Sequence, residues 1–234
     1  MRGRDCLVVM AREPVPGSTK TRLAAAIGDR EAASVYEAFL LDTLAICSNV
    51  PADLLISYAP DGRTGRSYFR DVAATAMLVA QEEASSFGAR LTAAMQAAFE
   101  RGFARVAVIG SDVPHMATAW IEDAFASLDD CDVALGPTRD GGYYLLALRR
   151  PEERLFADID WSSGREFGQT LQRARDLELR VSTVCPTFDI DDATDLRALR
   201  REIETSGDAL CPRTAAALRR LDAATRSFAG TPVR

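Results

Sequence analysis

The sequence has very few of the residues from which histidine-rich metal centres and hydrolytic triads are built. His115 is the only histidine in 234 residues, which excludes a site with several histidine ligands. It also argues against a Ser-His-Asp or Cys-His arrangement that does not use His115, although a proton-shuttling role for this residue stays open. The five cysteines are scattered and form no Cys-x-x-Cys pair, which is typical of buried free thiols.

Long hydrophobic runs and an excess of positive charge are also absent. No apolar run approaches the roughly 18 residues of a membrane span, and Arg12 and Glu13 interrupt the first one too early for a signal peptide. A net charge of -6 argues against nucleic acid or an acidic membrane surface as a partner. We therefore predict a cytoplasmic protein with one domain over residues 1–225 and a frayed tail over residues 226–234.

Strand-like and helix-like segments alternate along the chain, which is typical of an α/β fold with a mostly parallel sheet. The Asp-Gly-Gly sequence at 140–142 is a strong turn signal, and the strand that follows it is expected to run antiparallel. The predicted strands are Cys6–Ala11, Leu54–Tyr58, Ala76–Ala80, Val106–Ile109, Val133–Leu135, Tyr143–Leu148 and Val181–Val184. The predicted helices are Arg30–Cys47, Phe87–Arg101, Ala119–Leu128, Arg165–Leu177 and Ala193–Glu204.

The polar loop at residues 12–23, directly after the first predicted strand, points to an anionic ligand. Open α/β folds bind nucleotide phosphates at the carboxyl ends of their strands. The loop is not a P-loop, because Pro14 and Thr19 stand where that motif requires glycine. Side chains must then meet the ligand's charge, and Lys20 and Arg22 are the available cations. The alternative is a solvated basic loop that caps the next helix.

Asp112 follows the predicted strand Val106–Ile109 at its carboxyl end. In a parallel sheet this is the edge at which the Lys20 loop also lies, so Asp112 is expected to face the same crevice. Mg²⁺ in nucleotide sites is typically held by one or two carboxylates together with phosphate oxygens and water. Asp112 is therefore a candidate metal ligand, unless it simply caps a helix before Pro114.

Acidic residues crowd together before the last predicted helix. Asp189 and Asp191 alternate in an extended segment and are expected to face one side, which suits a second metal contact. Asp192 is most simply explained as the cap of the helix that follows.

The turn formed by Asp140, Gly141 and Gly142 is the remaining polar motif. Its two glycines allow a backbone to approach a ligand closely, and Asp140 offers hydrogen bonds, but the segment is equally typical of an ordinary tight turn. Trp161 is more typical of the core or of the wall of an acceptor pocket than of a catalytic position.

The order of these motifs resembles a known family. Four motifs follow one another between residues 7 and 199. In chain order they are Pro-Val-Pro-Gly-Ser-Thr-Lys-Thr-Arg-Leu, Gly-Ser-Asp-Val-Pro, Gly-Pro-Thr-Arg-Asp-Gly-Gly-Tyr-Tyr-Leu-Leu and Phe-Asp-Ile-Asp. In this order they resemble the bacterial DUF2064 family of glycosyltransferase-A-like proteins. That family is similar to 2-phospholactate guanylyltransferase and, more distantly, to molybdenum-cofactor nucleotidyltransferases, and some members are labelled as arsenosugar-biosynthesis glycosyltransferases from gene neighbourhood.

The resemblance implies the nucleotide-diphospho-sugar transferase (GT-A) fold, a three-layer Rossmann-like sheet, mostly parallel with one antiparallel strand. It implies a nucleotide over the amino half of the sheet and an acceptor over the carboxyl half. By the resemblance, Lys20 and Arg22 contact the phosphates, Asp112 and Asp191 hold the metal, and Asp140, Gly141 and Gly142 line the acceptor side. We therefore predict Lys20, Arg22 and Asp112 as the catalytic residues. From the sequence itself we add Arg12 and Gly17 as further nucleotide contacts and Trp161 as a further acceptor contact.

These observations predict an enzyme, a Mg²⁺-dependent or Mn²⁺-dependent transferase with a nucleotide or nucleotide-sugar donor and a small-molecule acceptor. Glycosyltransferases of this fold usually carry Asp-x-Asp where this chain has Ser111-Asp112-Val113, which favours nucleotidyl transfer to a phosphorylated or hydroxyl acceptor. The first loop, however, lacks the Gly-Gly that many nucleotidyltransferases have. Glycosyl transfer and a nucleotide-binding module without turnover remain the alternatives.

Overall fold

The structure is a computed structural model that describes residues 4–60, 63–82 and 86–229. Contacts between residues divide the chain into two compact units. The first, here called the sheet unit, comprises the chain up to Glu13, Leu44–Ser111 and Met116–Asp189. The second, the helical unit, comprises Pro14–Thr43, Asp112–His115 and the chain from Ile190 onward.

Within the described residues, seven strands form one sheet in the sheet unit. The strands lie in the order β3-β2-β1-β4-β6-β5-β7. Neighbouring strands are parallel except where β6 pairs with β4 and β5, which confirms the expected antiparallel strand. The strands are β1 (Asp5–Arg12), β2 (Asp53–Ala59), β3 (Met77–Ala80), β4 (Arg105–Gly110), β5 (Val133–Pro137), β6 (Tyr143–Leu148) and β7 (Val181–Thr183).

Helices connect these strands and make up most of the helical unit. Those in the sheet unit are α3 to α6, and those in the helical unit are α1, α7, α8 and α2 as far as Thr43. The helices are α1 (Thr21–Ile27), α2 (Asp29–Cys47), α3 (Arg63–Val72), α4 (Phe87–Phe99), α5 (Thr118–Ser127), α6 (Glu166–Asp176), α7 (Ala193–Ser206) and α8 (Pro212–Ala229).

The core of the sheet unit is built by alternation along the central strands. Val8 of β1 and Val108 of β4 lie in one apolar cluster with Leu91 and Met95 of α4. Because successive strand residues point to opposite faces, Ile109 faces the other side of the sheet. Helix α5 contacts β4, β5 and β6 without joining the α4 cluster, so helices cover both faces of the sheet around β4. This is the three-layer architecture expected from the sequence.

Helices α1, α3 and α8 are absent from the sequence prediction. Pro212 looks like a helix breaker, yet it occupies the first position of α8, where proline is well tolerated. The tail expected from Arg226 is helical as far as Ala229, and residues 230–234 lie outside the described part of the chain. Of the helices the structure describes, none is long and apolar enough to cross a bilayer.

Candidate nucleotide and metal site

Lys20 lies at the centre of a charged cluster in the helical unit. Its Nζ is 3.0 Å from Oδ2 of Asp112 and 2.6 Å from Oδ1 of Asp191. The side chain is only 10% exposed. Asp112 lies 92 positions and Asp191 171 positions after Lys20 in the chain, and the structure brings them together. All three are candidate site residues.

The charge state of Lys20 follows from its surroundings. Burial by itself would lower the pKa of the Lys20 ammonium, but the Asp112 and Asp191 carboxylates outweigh it and raise this pKa above its ordinary value. Lys20 is therefore a cation at neutral pH, although little of it is in contact with solvent.

The backbone at Lys20 has an unusual conformation. Lys20 is the N-cap residue of α1 and has left-handed dihedral angles, φ 50° and ψ 51°. Residues other than glycine seldom adopt this region, and such conformations are often found at functional sites. Gly17, the other predicted nucleotide contact of this loop, has a φ of 79°, which glycine adopts without strain.

Backbone hydrogen bonds hold the two acidic segments together. The N–H of Ile190 donates to the carbonyl oxygen of Asp112 at 3.1 Å. Asp195, in the first turn of α7, accepts hydrogen bonds from the N–H groups of Asp191 and Asp192, each at 3.0 Å. Asp195 therefore fixes the backbone from which the Asp191 carboxylate projects.

Sequence reasoning overlooked Asp195, although a signal for it was present. Asp192 accepts hydrogen bonds from the N–H groups of Thr194 and Asp195, so Asp192 and Asp195 form a reciprocal capping box at the start of α7. The spacing of two acids three residues apart before an apolar helical pattern is the sequence signature of such a box. The expectation that Asp192 caps this helix agrees with the structure.

Arg22 lies on the exposed side of the cluster. Its Nη1 is 3.4 Å from Oδ2 of Asp191 and its Nη2 is 3.3 Å from Oδ2 of Asp192. The side chain is 68% exposed, in contrast to that of Lys20. The pKa of Asp192 is lowered mainly by the N–H donors of Asp195 and Thr194, with a smaller contribution from Arg22.

Asp112 and Asp191 fit a divalent cation by their chemistry. One carboxylate oxygen of Asp112 and one of Asp191 lie within 4.8 Å of each other. Carboxylate oxygens are the ligands that Mg²⁺ and Mn²⁺ prefer. The position beside both of them already holds a cation, the Lys20 ammonium. Asp189, the alternative second ligand, is the last residue of the sheet unit and is half-buried.

The other predicted nucleotide contact, Arg12, lies in the sheet unit. It is the last residue of β1 and its side chain is exposed. The cluster in the helical unit thus contains Lys20, Arg22, Asp112 and Asp191 from the predicted set, and the role of Arg12 stays a prediction.

The Asp140–Gly142 turn lies in the sheet unit and uses its own carboxylate. Oδ1 of Asp140 accepts hydrogen bonds from Oγ1 of Thr138 at 2.6 Å and from the N–H of Gly142 at 3.1 Å. Gly141 has a φ of 94°, and a Cβ there would lie 2.0 Å from the carbonyl oxygen of Gly164. The turn is therefore tightly packed. Its internal hydrogen bonds and close backbone contact account for an aspartate at 140 and a glycine at 141 without an acceptor contact, which stays a prediction.

Trp161 and His115 occupy packed positions. The Trp161 ring lies 5.1 Å from that of Phe87 and 6.4 Å from that of Tyr143, against the apolar cluster of the sheet unit. A place in the core, one of the alternatives for Trp161, accounts for these contacts. His115 is buried in the helical unit, and its Nε2 is 3.8 Å from Oε2 of Glu202.

Comparison with known proteins places the chain in a family. Residues 41–163 match the sequence model of the family described as an uncharacterised protein conserved in bacteria (DUF2064), and the chain belongs to this family. It is 32% identical to a proposed nucleotide-diphospho-sugar transferase from Desulfovibrio desulfuricans G20 of known crystal structure. The two share a TM-score of 0.88 over 96% of this chain and 97% of that one. No curated protein matches the sequence.

More distant solved structures share the fold. A CMP:2-keto-3-deoxy-manno-octonic acid synthetase solved with CTP is 14% identical, with a TM-score of 0.51 over 87% of this chain and 99% of that one. Rv0371C from Mycobacterium tuberculosis H37Rv, solved with manganese, is 16% identical, with a TM-score of 0.52 over 84% and 97%. These two likenesses show the shared fold, and the D. desulfuricans relative, at 32% identity, supports a transferase of the nucleotide-diphospho-sugar transferase fold.

Proposed function

We propose that this protein is a Mg²⁺-dependent or Mn²⁺-dependent nucleotidyltransferase that acts on a small phosphorylated or hydroxyl acceptor. The observation that carries the proposal is the contact of Lys20 with the carboxylates of Asp112 and Asp191. A nucleoside triphosphate requires cationic groups, its divalent ion requires carboxylates, and this cluster offers both. The single acid at Asp112, in place of Asp-x-Asp, and the shared fold with a synthetase solved with CTP support nucleotidyl transfer.

In the proposed reaction an acceptor oxygen attacks the α-phosphorus of the triphosphate. The new P–O bond forms as the bond to the pyrophosphate oxygen breaks, and the acceptor proton passes to solvent or to the phosphates. Lys20 and Arg22 neutralise the charge that grows on the pyrophosphate, a contribution of about 10²–10³ in rate for each such group. Asp112 and Asp191 hold the divalent ion, which when bound supplies further charge neutralisation. No covalent enzyme intermediate is required.

The remaining contacts belong to the same proposal. Arg12 and Gly17 complete the nucleotide contacts, and Asp140, Gly141, Gly142 and Trp161 contribute to the acceptor contacts. The match of residues 41–163 to the family model, which includes this turn and Trp161, supports the assignment. We also propose that the reaction takes place in the cytoplasm, where nucleotide donors are available.

The test begins with thermal unfolding of the purified protein against nucleoside triphosphates and nucleotide-sugars, each with and without Mg²⁺ or Mn²⁺. A ligand at about 100 times its Kd should add roughly 2.7 kcal/mol of stability. The triphosphate that gives a metal-dependent shift is then incubated with phosphorylated and hydroxyl acceptors, and pyrophosphate is measured. Metal-dependent release of pyrophosphate is expected. Tight binding without turnover against any acceptor would instead indicate a binding module.

Matched variants connect the result to the site. Asp112→Asn should abolish the metal-dependent shift, because the amide loses the charge that the cation needs. Asp130→Asn removes an equal charge from an exposed position at the end of the turn after α5 and should leave the shift unchanged. If Asp112→Asn binds the metal–nucleotide complex as well as the parent, Asp112 is not the ligand.

Glycosyl transfer is the second candidate, since the relative with 32% identity is a proposed nucleotide-diphospho-sugar transferase. It predicts a thermal shift with a nucleotide-sugar and release of a nucleoside diphosphate. Detection of pyrophosphate from a triphosphate would exclude it as the main reaction.

A further inference from the structure

We propose that the Lys20 ammonium is an exchangeable substitute for the divalent cation. It holds Asp112 and Asp191 together while no metal is bound, and the metal displaces it when it binds. This inference rests on the metal site of the proposed function and adds a switch to it. The switch is the movement of Lys20 from the carboxylates to the phosphates of the incoming nucleotide.

The composition of the chain sets Lys20 apart. Lys20 is the only lysine in the sequence, and the other 27 basic residues are arginines. An ammonium is a compact charge with freely rotating donors, whereas the guanidinium of arginine is wide and planar. The one lysine of the sequence thus lies between two carboxylates, where a compact cation fits.

Electrostatics explain why a cation is required there before any metal arrives. The Asp112 and Asp191 carboxylates approach within 4.8 Å, are only 30% and 37% exposed, and would repel each other. Lys20 Nζ lies within 3.0 Å of both and removes that repulsion. Lys20 has left-handed dihedral angles, which residues other than glycine seldom adopt, and its contact with the two carboxylates offsets the cost of that conformation.

The same geometry makes the two cations competitors. Mg²⁺ binds carboxylate oxygens at about 2.0–2.1 Å, and a metal on these oxygens would sit within a few ångströms of the present position of Nζ. Two neighbouring cations repel each other, and a divalent ion attracts the carboxylates more strongly than an ammonium does. Binding of the metal therefore releases Lys20.

Arg22 is a natural control for this exchange. It contacts Asp191 through the other carboxylate oxygen, Oδ2, at 3.4 Å, and most of its side chain is in solvent. A metal on the oxygens facing Lys20 leaves this contact in place. Arg22 therefore neutralises charge near the site without competing for it directly.

The single lysine permits a direct test on the unmodified protein. Wild-type protein is treated with an amine-specific acetylating reagent with and without Mn²⁺ or Mg²⁺, at constant ionic strength, and acetylation of Lys20 is followed by mass spectrometry. Lys20 is only 10% exposed and its ammonium is held by two carboxylates, so it should react slowly. Saturating metal should accelerate its acetylation by about tenfold or more, because the released side chain becomes accessible to the reagent. The terminal α-amino group is the internal standard.

A second measurement tests the same exchange through the affinity of the site for Mn²⁺. Mn²⁺ affinity without nucleotide is measured by calorimetry for wild type, Lys20→Met and Arg22→Met. Lys20→Met should bind Mn²⁺ about tenfold more tightly than wild type, since the competitor is gone. Arg22→Met should bind within about threefold of wild type, because an exposed charge is screened. Equal or weaker binding by Lys20→Met would overturn the proposal.

The outcomes separate this inference from the function on which it rests. If wild type binds Mn²⁺ and Lys20 acetylation does not change, the exchange is wrong while the metal site stands. If wild type binds no Mn²⁺ with or without nucleotide, the metal-dependent function and the exchange both fail. Should Lys20→Met not fold, the acetylation of wild-type protein alone decides.

Discussion

The carboxylate of Asp42 forms the N-terminal cap of a helix that begins 170 residues later. Oδ2 of Asp42, in α2, accepts a hydrogen bond from the N–H of Thr214 at 2.8 Å, and Oδ1 accepts one from the N–H of Arg213 at 3.1 Å. These two N–H groups lie in the first turn of α8, where backbone N–H groups have no carbonyl acceptor within the helix. The Asp42 side chain is almost fully buried.

Asp42→Ala should therefore destabilise the protein. Two donors at the start of α8 lose their acceptor in a place that water reaches poorly, at a cost of about 1–3 kcal/mol in the free energy of unfolding. Asp42→Asn keeps an acceptor oxygen and should lose less. Urea unfolding of the three proteins measures the difference, and an alanine variant as stable as the parent would contradict the capping role.

Gly141→Ala should destabilise more than alanine at other glycines. Its Cβ would meet the carbonyl oxygen of Gly164 at 2.0 Å, and its φ of 94° is unfavourable for alanine. Gly102→Ala is the matched control, because Gly102 has a φ of 83° with open space around the added Cβ. We expect about 1 kcal/mol at Gly102 from backbone strain alone and clearly more at Gly141. Thermal unfolding compares them, and equal losses would exclude the steric contribution.

Asp192 makes a stability contribution that depends on pH. The pKa of Asp192 in the folded protein is lowered, chiefly by the N–H groups of Asp195 and Thr194, so folding favours the charged carboxylate. Its contribution is complete above the ordinary aspartate pKa of about 3.9 and is lost as the pH falls through the lower folded value.

The check is the difference in unfolding free energy between wild type and Asp192→Ala. It should be about 1 kcal/mol near neutral pH and should shrink below about pH 4. A difference that stays constant into acid would mean that the cap does not depend on the charge.

The thiols should divide by reactivity. Burial raises the pKa of Cys6, Cys47 and Cys211 to about 12, and shields them from reagents, whereas Cys185 is exposed. Ellman's reagent should label Cys185 first in the native protein, with the three buried thiols reacting only after unfolding in guanidinium. Rapid labelling of Cys47 in native protein would show that α2 is not packed as described.

Asp195 should act as a positioning residue for the metal site. Asp195→Ala frees the backbone of Asp191 and should weaken Mn²⁺ binding by about 10–100-fold. Asp195→Asn can keep both hydrogen bonds through one amide oxygen and should restore most of the affinity. Calorimetry with Mn²⁺ decides, with circular dichroism to verify that α7 is intact. Equal weakening in both variants would point to the charge of Asp195 instead of its hydrogen bonds.

The fold was predictable because its buried strands are short apolar runs with clear ends. The run before Gly110 and the Asp-Gly-Gly turn before Tyr143 were sufficient to predict the central parallel strand and its antiparallel neighbour. Helix α3 was not predictable in this way, since it is polar and contains Gly65. The stability of α3 comes from tertiary packing, for example of the buried Phe69. The local sequence pattern does not reveal such packing.

The candidate site was predictable to the level of its charged residues. Lys20 and Asp112 each follow a predicted parallel strand, so the sequence predicted that they lie at the same edge of the sheet. The structure places them in contact, and their chemical roles remain predictions. That Lys20 would be almost buried, with a left-handed backbone, depends on partners distant in the chain. The same limit applies to Asp42, since its two donors are more than 170 residues away.

The Asp42 cap also has a consequence for the order of events during synthesis. Ribosomes add roughly 5–20 residues per second, so the nascent chain carries Asp42 for about 10 to 30 seconds before Thr214 exists. Throughout that interval α2 has a carboxylate whose native donors have not yet been made, and the carboxylate must stay hydrated. The helical unit can therefore close only after the start of α8 has been synthesised, which leaves its apolar surfaces open to chaperones for longer than the first strands of the sheet.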